Sequence, residues 1–193
     1  MALFGLGYAT AQSPEVLGDG VLLRAARSGD FDQWASLRAR SRAFLTPWEP
    51  VWPEDDLTQA AFRRRVRRNL EEIENEEAFA FLIFRDGDKR LVGGLTLGHI
   101  RRGVAQTATL GYWMGGPYAG KGLMSRAVRA ALVFAFGQLH LHRVEAACLP
   151  HNEASMRLLG ATGFEREGLA RAYLRINGHW QDHVLYGQVA RNP

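Results

Sequence analysis

The stretch Tyr118-Ala119-Gly120-Lys121-Gly122-Leu123-Met124 is where residue types and spacing point most directly to chemistry. It lies between an apolar strand-like run (residues 105–114) and a segment, 123–136, in which Leu123, Ala127, Ala130, Ala131 and Phe134 recur at helical spacing. At the start of a helix the first backbone N–H groups lack intrahelical partners, and the helix dipole adds partial positive charge. A phosphate can bind there through backbone alone, glycines letting the chain approach closely, while Lys121 adds charge. The spacing from Gly115 to Gly120-Lys121 imitates a nucleotide-binding P-loop. Position 122, however, is glycine where that loop needs a hydroxyl for magnesium, so phosphate binding without nucleotide hydrolysis is expected.

A second polar group follows, Pro150-His151-Asn152-Glu153-Ala154-Ser155. Read locally, Asn152 caps a short helix over 153–161, with Ser155 at its third position. His140, His142 and His151 find no cysteine or carboxylate at zinc-like spacing, and no metal site is expected. The single cysteine, Cys148, cannot form an internal disulfide and sits in an apolar run, as a buried small hydrophobe in a reducing cytoplasm would.

The elements that must position these groups alternate in type. Residues 20–26 read as a strand, and Ser28 or Asp30 can cap a helix carrying Phe31, Trp34, Leu37 and Ala43. Residues 46–53 hold three prolines and two tryptophans, which makes a stiff aromatic loop. Residues 55–75 predict a second helix with a basic middle and an acidic end, and its charges are expected to form a solvated, ion-paired face. Runs 78–84, 91–100 and 105–114 predict an antiparallel meander, 142–149 another strand, and 171–176 with 180–190 a hairpin about Asn177-Gly178.

At 193 residues, 47% apolar, the chain can bury roughly 70% of its unfolded surface around one core, so a single domain over 1–193 is expected, residues 1–19 forming a loose arm. No apolar run approaches the roughly 20 residues of a membrane span. Residues 1–10 lack a basic leader and a cleavage site, so a soluble cytoplasmic protein is expected, with neither membrane nor DNA as partner. A net charge of +4 favours acidic partners, including phosphate-rich cofactors, RNA or a ribosomal surface.

In order along the chain, Leu110-Gly111-Tyr112-Trp113-Met114, the glycine loop, Pro150-His151-Asn152 and Gly163-Phe164-Glu165-Arg166-Glu167-Gly168 resemble the layout of the GNAT acetyltransferases. With Arg42-Ala43-Phe44-Leu45-Thr46-Pro47-Trp48-Glu49-Pro50, His142-Arg143-Val144 and Gly178-His179-Trp180-Gln181-Asp182-His183-Val184-Leu185, the chain is similar to the Rim-type enzymes that acetylate N-terminal alanines of ribosomal proteins. The resemblance runs from about residue 20 to 190. It implies an α/β fold with a mixed, mostly antiparallel sheet flanked by helices, splayed between the strand ending at Met114 and the strand starting near His142. Acetyl-CoA would lie in the splay. Its pyrophosphate would rest on Ala119, Gly120, Lys121, Gly122, Leu123, Met124 and Ser125, and its pantetheine would pair with the backbone of Tyr112, Trp113 and Met114 and with Asn152. The family loop usually carries glutamine or arginine where this chain has Ala119, and glycine or alanine where it has Met124, which leaves the pyrophosphate to the backbone.

The resemblance further implies that Ser155, near the CoA sulfur, protonates the departing thiolate. The related glutamate base falls at Leu174, which cannot take a proton, leaving Glu49, Glu145 and Asp182 as candidates. Glu49 is favoured because the aromatic loop would wall the acceptor pocket. The implied acceptor is the N-terminal amine of a ribosomal protein; for the arginine-rich helix, a ribosome-binding surface is the alternative to the solvated, ion-paired face. A small-molecule amine acceptor, or a ribosome-assembly factor with incidental acetyl transfer, are the alternatives.

Overall fold

The computed structural model describes residues 13–190. Strands β1 (Glu15–Gly18), β2 (Val21–Ala25), β3 (Phe79–Arg85), β4 (Leu91–Arg101), β5 (Thr107–Met114), β6 (Arg143–Cys148), β7 (Glu165–Ile176) and β8 (His179–Val189) form one sheet in the order β1-β2-β3-β4-β5-β6-β8-β7. All neighbours run antiparallel except β5 and β6, which are parallel and joined by a helical crossover. The mixed, mostly antiparallel sheet expected above is therefore observed.

Helices α1 (Phe31–Arg40), α2 (Arg42–Leu45), α3 (Gln59–Glu74), α4 (Leu123–Val133) and α5 (Glu153–Ala161) cover the two faces. On one, α4 and α5 pack Leu123, Val128, Ala131 and Leu159 onto Val21, Leu23, Ile83, Leu95 and Val144. On the other, α1 and α3 bring Trp34, Leu37, Phe62 and Val66 to Leu82, Phe84 and Leu91. Strand alternation sorts these side chains, and each fully buried Leu or Phe contributes about 1.5–3 kcal/mol.

Several boundaries depart from the sequence reading for identifiable reasons. Of the arm anticipated over 1–19, residues 1–12 lie outside the described residues, and Glu15–Gly18 is an edge strand paired with β2. The helix expected from residue 55 begins at Gln59, because the Thr58 hydroxyl accepts from Ala61 N at 3.2 Å while Asp55 and Asp56 fold back onto Arg64 and Arg65. The helix expected over 123–136 ends its α-turns at Val133 and closes with a π-turn, Leu139 N donating to Phe134 O. Phe134 is held there edge-on against Phe79 and Phe81, with ring centroids at 5.1 and 5.6 Å. The strand expected from residue 171 starts at Glu165, its alternation broken by a bulge between Ala170 and Leu174.

Candidate active site

β5 and β6 pair only from Thr107 opposite Arg143 to Leu110 opposite Ala146. Beyond that point β5 continues to Met114 bonded to β4 alone, and β6 to Cys148 bonded to β8 alone. The strands part into a wedge whose inner edges carry unpaired peptide groups, residues 111–114 on one side and 147–148 on the other. Gly93 and Gly94, opposite Met114 and Trp113, allow β5 this path. A Cβ at Gly93 would lie 2.5 Å from Trp113 O and one at Gly94 2.4 Å from the Trp113 indole nitrogen. Unsatisfied backbone groups require partners, so the wedge suits an extended, amide-bearing chain.

The glycine loop lies at the mouth of the wedge. Gly120 and Gly122 have φ of +73° and +72°, a conformation that would strain other residues, and α4 starts at Gly122 with no side-chain cap. Among the described residues its first N–H groups have no acceptor, which is the arrangement an anion completes. Leu123 and Met124 are buried in the core, so only their backbone is offered to a ligand, whereas Lys121 is exposed. Ala119 is extended and Ser125 half-buried. The loop is tied to α1 by the fully buried Ser41, whose Oγ accepts from Gly116 N at 2.9 Å. Ser41 has no local sequence signal that could have found it.

Further into the wedge the Tyr112 hydroxyl and Ser155 Oγ are 2.5 Å apart. Asn152 caps α5, its Oδ1 accepting from Ser155 N at 3.0 Å, which fixes Ser155 in the first turn. Burial raises the Tyr112 phenol well above its usual range, partly offset by the Ser155 bond. Burial also pushes the Cys148 thiol up, with a hydrogen bond from Ser155 acting in the opposite sense. All three groups are therefore neutral at pH 7 and present hydroxyl and thiol protons rather than charges.

On the opposite face the aromatic loop is held by charge. Arg38, 7% exposed, donates from both terminal nitrogens to Glu49 at 2.7 and 2.8 Å, and Trp52 Nε1 donates to the same carboxylate at 2.7 Å. The guanidinium lies 4.0 Å from the Trp52 ring centroid and 4.8 Å from that of Trp113. Asn177 N donates to Glu49 O, joining the loop to the β7–β8 turn, and Trp48 meets His151 at 5.5 Å between ring centroids. Three donors thus converge on Glu49. The Glu49→Ala variant leaves a buried cation unpaired, which costs about 3–5 kcal/mol. The expected fall in Tm, measured by circular dichroism, is on the order of 10 °C for a chain of this size. An unchanged Tm would show the pair to be dispensable.

The other carboxylates are also engaged. Glu145 accepts from Arg143 at 3.0 Å and Arg101 at 3.2 Å, opposite Thr109 where the strands are still paired. Asp182 accepts from Ala172 N at 2.8 Å and orders the bulge of β7. Leu174 pairs with Gln181 and is exposed. The wedge thus gathers Tyr112, Trp113, Met114, Asn152 and Ser155 above the loop, while Glu145 lies outside it.

A wedge between two parallel strands, over an uncapped helix start, agrees with the match of residues 21–165 to the family model described as Acetyltransferase (GNAT) domain. The chain belongs to the GNAT acetyltransferases. This acetyltransferase is 37% identical to the Bacillus subtilis protein named Probable N-acetyltransferase YjcK, over 87% of this chain and 93% of that one. It is 36% identical to the ribosomal protein uS5-alanine N-acetyltransferase of Escherichia coli, over 86% of each. Among solved structures, Mycobacterium smegmatis RimJ in complex with CoA-disulfide superposes with a TM-score of 0.84 at 30% identity, covering 92% of this chain and 87% of that one. The enzyme is an N-acetyltransferase of Rim type that uses acetyl-CoA, and among the described residues no helix is long and apolar enough to cross a membrane.

Proposed function

We propose that this acetyltransferase acetylates the N-terminal α-amine of a ribosomal protein, with alanine as the first residue. The observation that carries this reading is the 36% identity, over 86% of both chains, to an enzyme named for acetylating the alanine of uS5. The aromatic loop supports it. Trp48 meets His151 and the Asn177 turn bonds to Glu49 O, so these residues would wall the acceptor side, and the Glu49 carboxylate there is already taken by Arg38 and Trp52, which leaves it unable to attract a small polycation.

In this reading the helix start at Gly122 and the backbone of Ala119, Gly120 and Lys121 hold the pyrophosphate, and the free edge of β5 takes the pantetheine with Asn152. Acetyl-CoA supplies the activated acyl group. A backbone N–H of the β5 edge polarises the carbonyl, as preorganised donors do. The Tyr112 and Ser155 hydroxyls share one hydrogen bond, and in the direction in which Tyr112 donates, the serine O–H is free to turn toward the sulfur and protonate it as it leaves. The loop and the basic face of α3, where Arg63, Arg64, Arg67 and Arg68 are exposed, would meet the ribosomal substrate in the cytoplasm.

The test is kcat/KM for an alanine-initiated peptide against the same peptide N-blocked and carrying one lysine. With reference pKa values of about 8 and 10.4, the α-amine has an advantage of about 3 kcal/mol in deprotonation alone. A preference of at least about a hundredfold for the free N-terminus is expected. Equal use of the lysine peptide would replace this reading with a lysine or small-amine acetyltransferase.

A further inference from the structure

Transfer to an amine requires a group that removes the proton from the attacking nitrogen, and Glu49, Glu145 and Asp182 are all engaged elsewhere. We propose that His183 is this proton acceptor.

His183 lies on β8 one residue before Val184, which is opposite Cys148, the last residue of β6. It therefore stands where β6 ends and the wedge is widest. Strand alternation gives its face. Cys148, Ala146, Val184 and Tyr186 point into the core beneath α4 and α5, so His183 points to the opposite side, the one shared by Trp113 and Arg38. Ser155 and Tyr112 act from one face of the sheet and His183 from the other. The donor for the leaving sulfur and the acceptor for the amine proton are therefore separate groups, as a transfer that protonates one atom while deprotonating another requires.

The ring's hydrogen bonding is one-sided. Nδ1 is 3.0 Å from Gln181 O, and a carbonyl only accepts, so Nδ1 carries the hydrogen and Nε2 the lone pair. Nε2 bonds to no described residue, although His183 is 3% exposed, and it is absent from the buried polar atoms sealed without a partner. Nε2 is therefore open to a water or to a substrate amine.

The strand beside it is shaped around the ring. Ala172, a non-glycine residue with φ of +47°, is held in the bulge by Asp182, and the bulge lays Tyr173 edge-on to the imidazole at 5.9 Å. Left-handed backbone in such a residue costs about 1–2 kcal/mol and persists where neighbours impose it, as bulges beside active sites do. In the step itself, the amine nitrogen bonds to the acetyl carbon and the C–S bond breaks. The amine proton passes to His183 Nε2, and the departing sulfur takes one from the Ser155 hydroxyl. His183 then loses its proton to solvent and solvent reprotonates Ser155, so both residues return to their starting states and no net proton is gained or lost.

The proposal rests on the acetyltransferase assignment and not on the identity of the acceptor. It is tested with His183→Asn and His183→Gln on the amine that the wild type uses best, together with an analogue bearing an electron-withdrawing fluorinated group that is already neutral at pH 7. For a folded variant, kcat on the ordinary amine is expected to fall at least about a hundredfold, with the acetyl-CoA KM unchanged within about twofold. On the fluorinated amine the deficit shrinks to less than about tenfold, because little proton remains to be removed. Failure of the acceptor reading changes only which amine is used, while an equal deficit on both amines, or none, overturns His183. Should neither variant fold, carbethoxylation of wild-type His183, mapped by mass spectrometry, is expected to be blocked by CoA covalently joined to the acceptor. No modification, or modification unaffected by that compound, overturns the proposal.

Discussion

The Gly120→Glu variant is expected to lose acetyl-CoA binding by more than about a thousandfold while remaining folded. Gly120 has φ of +73°, where a side chain costs about 1–2 kcal/mol. A carboxylate about 4 Å from the bound phosphates adds repulsion of about 4 kcal/mol at an effective dielectric near 20. The repulsion alone matches the roughly 4 kcal/mol that separates three decades of Kd, and the backbone cost adds to it because the free loop relaxes out of the strained conformation and must be returned to it on binding. Nothing lies within 4 Å of a Cβ at this position, so the fold has room for the side chain. Gly120→Ala carries the backbone cost without the charge and should lose only about tenfold. Isothermal calorimetry with acetyl-CoA reads both, and unchanged affinity in folded Gly120→Glu would remove the loop from the cofactor site.

Ser155→Ala is expected to lower kcat by about a thousandfold, within the range that positioned proton transfer contributes, with acetyl-CoA affinity changed little. The reason is geometric. Ser155 is held by the Asn152 cap on one side and Tyr112 on the other, so its loss removes the proton donor without moving the backbone that binds the cofactor. Tyr112→Phe leaves Ser155 in place and should cost less, about tenfold to a hundredfold. Pre-steady-state measurement of the acetyl-transfer step distinguishes this from slow product release. Full chemical rate in Ser155→Ala would leave the hydroxyl as a hydrogen-bond partner of Tyr112 only.

The features legible in the sequence are those set by neighbours within a few residues. The hairpin at Asn177-Gly178 is an example, since both residues adopt positive φ, 46° and 83°, and few other pairs do so at low cost. The α5 start at Asn152 and the glycine loop before α4 follow from capping and glycine chemistry in the same way, and the GNAT layout came from their order along the chain. The positions of Glu49, Glu145 and Asp182 in the sequence could not reveal their partners.

What the tertiary structure decided was which polar groups meet and which are already engaged. Tyr112 and Ser155 are 43 residues apart and are brought together by a parallel register that stops at Leu110 and Ala146. Glu49 is engaged by Arg38, which is no more suggestive of a partner in the sequence than the chain's other arginines. The bulge at Ala172 depends on Asp182 across the hairpin, ten residues on. Composition and periodicity determine that a strand exists and which residues alternate. Strand register and helix docking depend on the summed burial of distant side chains, and a one-residue slip would turn His183, Tyr112 and Trp113 to the wrong faces.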